Sequence, residues 1–148
     1  MRAVVQRVSQ AGVQVDSESR TGIGPGLLVL LGVCKGDTES EAEWLAKKIT
    51  GLRIFEDEAG KMNLSLGDIC VEMLIISQFT LYGDCRKGRR PGFDKAAPPG
   101  EAEKLYEYFI SQVRSRGIPI RHGTFGAMME VDLVNSGPVT LIINTPES

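Results

Sequence analysis

The sequence predicts a single α/β domain over residues 1–148, a mixed, barrel-like β-sheet with two main helices packed on it. Two observations carry this. First, the apolar period switches between two and about 3.6 residues several times, in the order strands, helix, strands, helix, strands. Second, 148 residues with no internal repeat and no low-complexity linker fit one domain. A hydrophobic share of 42% beside 24% charged residues is that of a globular chain. A domain of this length buries about two-thirds of its unfolded surface, so it needs no disulfide or metal staple.

The elements follow in order. Residues 2–8 (RAVVQRV) and 11–16 (AGVQVD) are Val-rich and partly alternating, and read as a pair of strands at a sheet edge. After TGIGPG, the run Leu27–Val33 reads as a strand buried on both faces. Thr38 and Glu41 form a T-x-x-E capping box, followed by an apolar stripe of Ala42, Leu45, Ala46, Ile49 and Leu52, which predicts an amphipathic helix. Arg53–Glu56 reads as a short strand and DEAGK as a turn. Val71–Leu81 reads as a second apolar strand ending in small polar residues, and Tyr82–Gly100 as a long surface loop. A second helical stripe, Ala102, Leu105, Tyr106, Phe109, Ile110 and Val113, is stopped by Gly117. Phe125–Asn135 and Val139–Asn144 read as two strands joined by a turn at NSGP.

Composition narrows the chemistry. One histidine cannot build a two-histidine metal face, and Cys34, Cys70 and Cys85 contain no C-x-x-C pair, so neither a metal site nor a disulfide framework is expected. The N-terminus lacks the apolar stretch of a signal peptide, and LLVLLGVC at 27–34 is too short to span a membrane; a cytoplasmic protein is expected. The formal net charge of −2 exerts no global pull toward nucleic acid.

Five groups of residues can carry function. Ser77-Gln78-Phe79-Thr80, at the end of an apolar strand, offers hydroxyl and amide groups and main-chain N–H groups leaving the ladder, which suit an oxyanion formed when an ester carbonyl is attacked. The ordinary role of such residues is to cap the following turn. Gly137-Pro138 can be a simple hairpin turn or a rigid element presenting backbone carbonyls to a pocket. Only about 5–6% of X–Pro bonds are cis, so residues alone favour trans. The loop at 83–95 holds Arg86, Lys87, Arg89, Arg90 and Lys95 against Asp84 and Asp94, a local balance of +3 that suits phosphate contact or plain solvation. His122 could pair with Ser77 or Thr80 as a nucleophile dyad, but no G-x-S-x-G surrounds Ser77. Phe125, Met128 and Met129 fit either an apolar pocket or the core.

Taken together, SQFTL at 77–81 and NSGPVT at 135–140 resemble the paired signature motifs of the D-aminoacyl-tRNA deacylase family. MRAVVQRV at the N-terminus, GLLVLLGV at 26–33, RIFEDEAGKMNLS at 53–65, RRPGF at 89–93 and LYEYF at 105–109 extend the resemblance over essentially the whole chain. It implies a homodimer with active sites at the subunit interface and aminoacyl-tRNA as substrate, bound through the 3′-terminal adenosine and acceptor end. It further implies hydrolysis of the D-aminoacyl ester to D-amino acid and tRNA, with no cofactor. In this reading Ser77, Gln78, Phe79 and Thr80 are catalytic. Gly137-Pro138, as a Gly-cisPro element inserted into the partner subunit's site, selects chirality with Phe125 and Met129, and Arg86, Lys87, Arg89 and Arg90 are candidate tRNA phosphate contacts. Rejecting one enantiomer requires a repulsive wall. Glycine has no side chain to reject, so glycyl-tRNA should also enter. The expected chemistry uses main-chain N–H groups around Gln78–Phe79 on the oxyanion, water as nucleophile and help from the ribose 2′-hydroxyl; the competing route makes Thr80 a covalent nucleophile. Two readings from other classes are a non-catalytic tRNA 3′-end binding module and a Ser77/His122 esterase.

Overall fold

The computed structural model describes residues 1–146. Its frame is one long N-terminal strand, β1 (Arg2–Val15). Three strands pair with it antiparallel: β2 (Thr21–Ile23) against residues 11–13, β3 (Gly26–Gly32) against residues 2–8, and β8 (Met129–Asn144) along almost its whole length. The sheet continues from β3 through parallel pairing to β6 (Glu72–Ser77) and then to β7 (Ile120–His122). As β2 also comes against β6 and β7, the sheet curls into a nearly closed barrel. A small hairpin, β4 (Phe55–Glu56) with β5 (Met62–Leu64), stands apart.

The expected pair of N-terminal strands is thus one strand. Nothing at Ser9-Gln10 forces a turn; the register slips there while the chain stays extended. The C-terminal pair is likewise a single strand, β8. Both of its halves pair with β1, because Thr140–Asn144 lies against residues 2–6 and Met129–Asn135 against residues 8–15. Residues 136–139 oppose Arg7 alone, so NSGP is a bulge within a strand and not a hairpin turn.

Helix α1 (Glu39–Gly51) begins with the predicted capping box: Thr38 N–H donates to Glu41 at 2.6 Å. Thr38 also holds the Glu41 carboxyl below its ordinary range. A second box, Ser65 with Asp68, opens the single-turn helix α2 (Leu66–Ile69), too short to show an apolar period. Helix α3 (Pro99–Ser115) starts on Pro99, where a missing N–H costs nothing, and ends before Gly117 at φ +79.

Two apolar layers hold these parts. One face of the sheet, with Leu27, Val29, Leu31, Met73 and Ile75, packs on Leu45 and Ile49 of α1 and Phe109 and Val113 of α3. The opposite face fills the curl with Val8, Val13, Ile23, Leu28, Leu74 and Ile76. Adjacent residues of β3 and β6 alternate between the layers, as a strand buried on both sides requires. No helix among the described residues is long and apolar enough to cross a membrane.

Candidate active site

Strand β6 stops at Ser77, four residues earlier than the expected end at Leu81, because the chain is captured from elsewhere. Gln78 N–H donates to Leu31 O at 2.8 Å and completes the ladder with β3. The chain then bends into a 3-10 turn, Phe79–Tyr82. Arg2 clamps that turn: its Nη1 donates to Leu81 O at 2.7 Å, and its guanidinium lies 4.8 Å from the Tyr82 ring centre. Gly32 lets the turn sit close, since a β-carbon there would lie 3.2 Å from Gln78 O and from Leu81 Cβ. Burial pushes the Tyr82 hydroxyl above its ordinary value.

The consequence is chemical. The first N–H groups of a helical turn have no acceptor inside it. Those of Phe79 and Thr80 have no acceptor elsewhere among the described residues either. The expected donor at Gln78 is therefore corrected: its N–H is spent on β3, and the open pair is Phe79 and Thr80. The Thr80 hydroxyl accepts from the Gln78 amide. The exposed Phe79 ring meets Phe93 edge-on at 5.2 Å between centres.

Beside this strand end lies a cleft of about 700 Å³. Ser77, Gln78 and Phe79 form one wall, Ala96–Pro99 and Ala102 another, and Phe125–Met129 a third, with Lys35 contributing as well. Phe125 rests on Tyr106, 5.9 Å between ring centres, and the Tyr106 hydroxyl donates to Ile75 O at 3.1 Å. Gly123 makes room for Met129, whose Sδ would lie 2.4 Å from a β-carbon at that position. The walls are mostly apolar with few polar groups, the usual character of a small-ligand site. Among the described residues, no three His, Cys, Asp or Glu side chains gather as metal ligands.

Gly137 and Pro138 lie elsewhere. Their peptide bond is cis, and the pair stands on the bulge of β8, exposed and outside the cleft. The bulge is held from behind. Arg7, buried to 8% exposure, donates from Nε to Ser136 O at 2.9 Å and from Nη1 to Ile54 O at 2.6 Å. Asn135 closes it from inside: its Oδ1 accepts from Val139 N–H at 2.7 Å and its Nδ2 donates to Val139 O at 3.1 Å. Sequence reasoning missed both Arg2 and Arg7. For Arg7 a signal existed, because the strand's alternation puts it on the face of Ala3 and Val5, both fully buried.

A family model described as D-Tyr-tRNA(Tyr) deacylase matches residues 4–144. The chain belongs to the D-Tyr-tRNA(Tyr) deacylase family. As a member it is an enzyme, a carboxylic ester hydrolase. It is 61% identical over 148 residues to the D-aminoacyl-tRNA deacylase of Geotalea uraniireducens, spanning 100% of this chain and 96% of that one. With the D-aminoacyl-tRNA deacylase of Desulfatibacillum aliphaticivorans it shares 64% over 145 residues, 98% of this chain and 99% of the other. Among solved structures, the c-Myc DNA Unwinding Element Binding Protein superposes with a TM-score of 0.92 at 44% identity, covering 99% of this chain and 100% of that one. A probable eukaryotic D-amino acid tRNA deacylase shares the fold, at a TM-score of 0.83 and 20% identity over 96% of this chain and 97% of the other.

Other residues singled out in the deacylase sequence lie outside the cleft lining. Its basic segment is pinched into a closed loop by Asp84 and Gly92, each of whose N–H groups donates to the other's carbonyl at 2.7 and 2.9 Å. Arg86 is tied within that loop, donating to both carboxylate oxygens of Asp84 at 2.9 and 2.7 Å. That pairing holds the Asp84 carboxyl well below its usual range. Lys87, Arg89 and Arg90 are exposed and make no ion pair among the described residues. His122 does not meet Ser77. It lines a separate, smaller cavity with Glu103, Glu107 and Arg114, and its Nδ1 is hydrogen-bonded to Gly123 O at 2.7 Å.

Proposed function

We propose that this deacylase hydrolyses the ester between a D-amino acid and the 3′-terminal adenosine of tRNA, and that the Phe79 and Thr80 N–H groups bind the developing oxyanion. The supporting observation is the strand end itself. Two adjacent main-chain donors, fixed by Arg2 and left without acceptors, stand beside an apolar cleft large enough for an aminoacyl-adenosine. Donors fixed in advance need no reorganisation as charge develops on the carbonyl oxygen, which makes them effective.

Water is the nucleophile in this reading, with the ribose 2′-hydroxyl assisting. The hydrogen bond between Thr80 and Gln78 favours this route over a covalent one. An amide cannot accept the proton that a hydroxyl must lose in becoming a nucleophile. The separation of His122 from Ser77 likewise disfavours the Ser/His esterase.

Chirality is read by Gly137-Pro138 of a second copy, inserted into the cleft as a wall against the L side chain. In support, the turn is exposed, anchored from behind and outside its own chain's cleft. Strand β8, which carries it, pairs only with β1 and exposes Val131, Val134 and Ile142. A free strand edge with apolar side chains is a natural place for a second copy to add. A wall that works by collision cannot exclude a residue without a side chain.

The test follows amino-acid release from D-Tyr-tRNA and glycyl-tRNA beside binding of uncharged tRNA. Release of D-Tyr, with slower release of glycine, is expected. Binding of charged and uncharged tRNA without release would establish a binding module instead. Glycyl-tRNA that stays intact under excess enzyme would remove the steric wall.

A further inference from the structure

Lys35 is the only charged residue lining the cleft among the described residues. Its ammonium has no carboxylate within ion-pair distance there. An exposed cation without an ion-pair partner beside apolar walls is free to meet an anionic ligand.

The main chain that carries Lys35 is fixed from both sides. Its own N–H donates to Lys95 O at 2.9 Å. Cys34 N–H donates to Asp37 Oδ2 at 2.7 Å, Asp37 N–H returns to Cys34 O at 3.1 Å, and Gly36 takes φ +89 to close the turn. The stem therefore leaves from a rigid point, and its ammonium sweeps a limited part of the cleft wall. Nothing in the ester chemistry employs a cation: the oxyanion has its main-chain donors, and the amino acid's own ammonium would be repelled by Lys35.

The substrate offers one anion at the right remove. The terminal adenosine joins the rest of the RNA through a 5′-phosphodiester, one ribose away from the scissile ester. A compact ammonium on a flexible stem suits a single phosphate as a point charge. We propose that Lys35 binds the phosphodiester immediately 5′ of the terminal adenosine, so that the cleft favours esters carried on an RNA chain over the same ester on a free nucleoside. This rests on the functional reading above and adds a residue to it.

The experiment compares two esters with the same acyl group: D-Tyr-tRNA, and 2′(3′)-O-D-tyrosyl-adenosine, which lacks the phosphate. In Lys35→Ala the ratio of kcat/KM for the two falls by about tenfold, chiefly through KM on tRNA, and the slope of log KM against log salt decreases by about one. Lys35→Arg retains most of the ratio. Lys35 is exposed, and thermal melting of each variant confirms that the fold is kept. An unchanged ratio and salt slope, or an equal loss on both esters, overturns the proposal. A wild-type enzyme inert toward both esters would overturn the deacylase reading itself, which separates the two failures.

Discussion

The strand end at Ser77–Thr80 and the bulge at Asn135–Val139 are built on opposite plans. At the strand end the turn is fixed from one side by Arg2, and two N–H groups remain unspent. At the bulge, the Ser136 carbonyl, the Val139 N–H and the Val139 carbonyl are all engaged, and the exposed surface belongs to Gly137 and Pro138. The first arrangement leaves donors free for a ligand's charge. The second presents a shape that does not yield. In the proposed reading, catalysis and selection fall to separate pieces of backbone, each held by an arginine remote in sequence.

Removing the anchor of the rigid region should have the largest effect. Arg7→Ala deletes two charge-assisted hydrogen bonds to backbone carbonyls, for an expected loss of about 3 kcal/mol, or roughly 10 °C in Tm. It should also narrow the difference in rate between D- and L-aminoacyl-tRNA. A melting temperature equal to the wild type's would show that Arg7 does not hold the bulge.

Gly137→Ala tests the same region with less damage. At φ +136 a new β-carbon would lie 2.8 Å from Val139 Cγ2 and 2.9 Å from Arg7 Nη2. A loss of about 1–3 kcal/mol is expected, read from urea unfolding, together with weakened D-selectivity. Selectivity untouched by a displaced turn would separate the bulge from chiral choice.

On the receiving side, Thr80→Ala keeps the main-chain N–H and removes only the hydroxyl. A fall of about tenfold or less in kcat is expected if the backbone stabilises the oxyanion, roughly 1.4 kcal/mol of barrier. Near-complete loss, with an acyl-enzyme trapped in the wild type, would make Thr80 the nucleophile.

The smallest effect concerns the Asp84–Arg86 pair. Asp84 is held below its usual range by Arg86, so their mutual stabilisation is full above the unfolded carboxyl value of about 3.9 and declines as pH falls through the folded one. In Arg86→Ala the urea midpoint should drop slightly at pH 7, and the gap from wild type should shrink below about pH 4. A gap that widens on acidification would contradict the sign.

How far the sequence reached can be judged on the same two regions. Continuous apolar runs located β3 and β6, and the Thr38 capping box located α1, because these signals are local. The turn at NSGP carried the residues of a hairpin and of a bulge alike. What decides between them is the strand opposite, and both flanks face β1. Residues 78–81 have strand-forming side chains, yet Arg2 and Gly32, remote in sequence, bend them into a turn. Charged residues were the least legible. Arg2, Arg7 and Lys35 belong to no motif that marks a site, and only the carbonyls, the ring and the cleft walls around them give each a task. Ser77 to Thr80, Gly137 and Pro138 were prominent because their motifs are. That Ser77, Gln78 and Phe79 meet Phe125 and Met129 at one cleft, while Gly137 and Pro138 lie apart from it, is a matter of topology.

The proposed division of labour is that one region cleaves the ester while the other admits only the D-enantiomer. Its most direct test is the release of tyrosine from D-Tyr-tRNA and L-Tyr-tRNA by the wild-type enzyme at matched concentrations. Rapid release from the D-ester with the L-ester left intact is the predicted result. Equal rates on both, or release from neither, would contradict it.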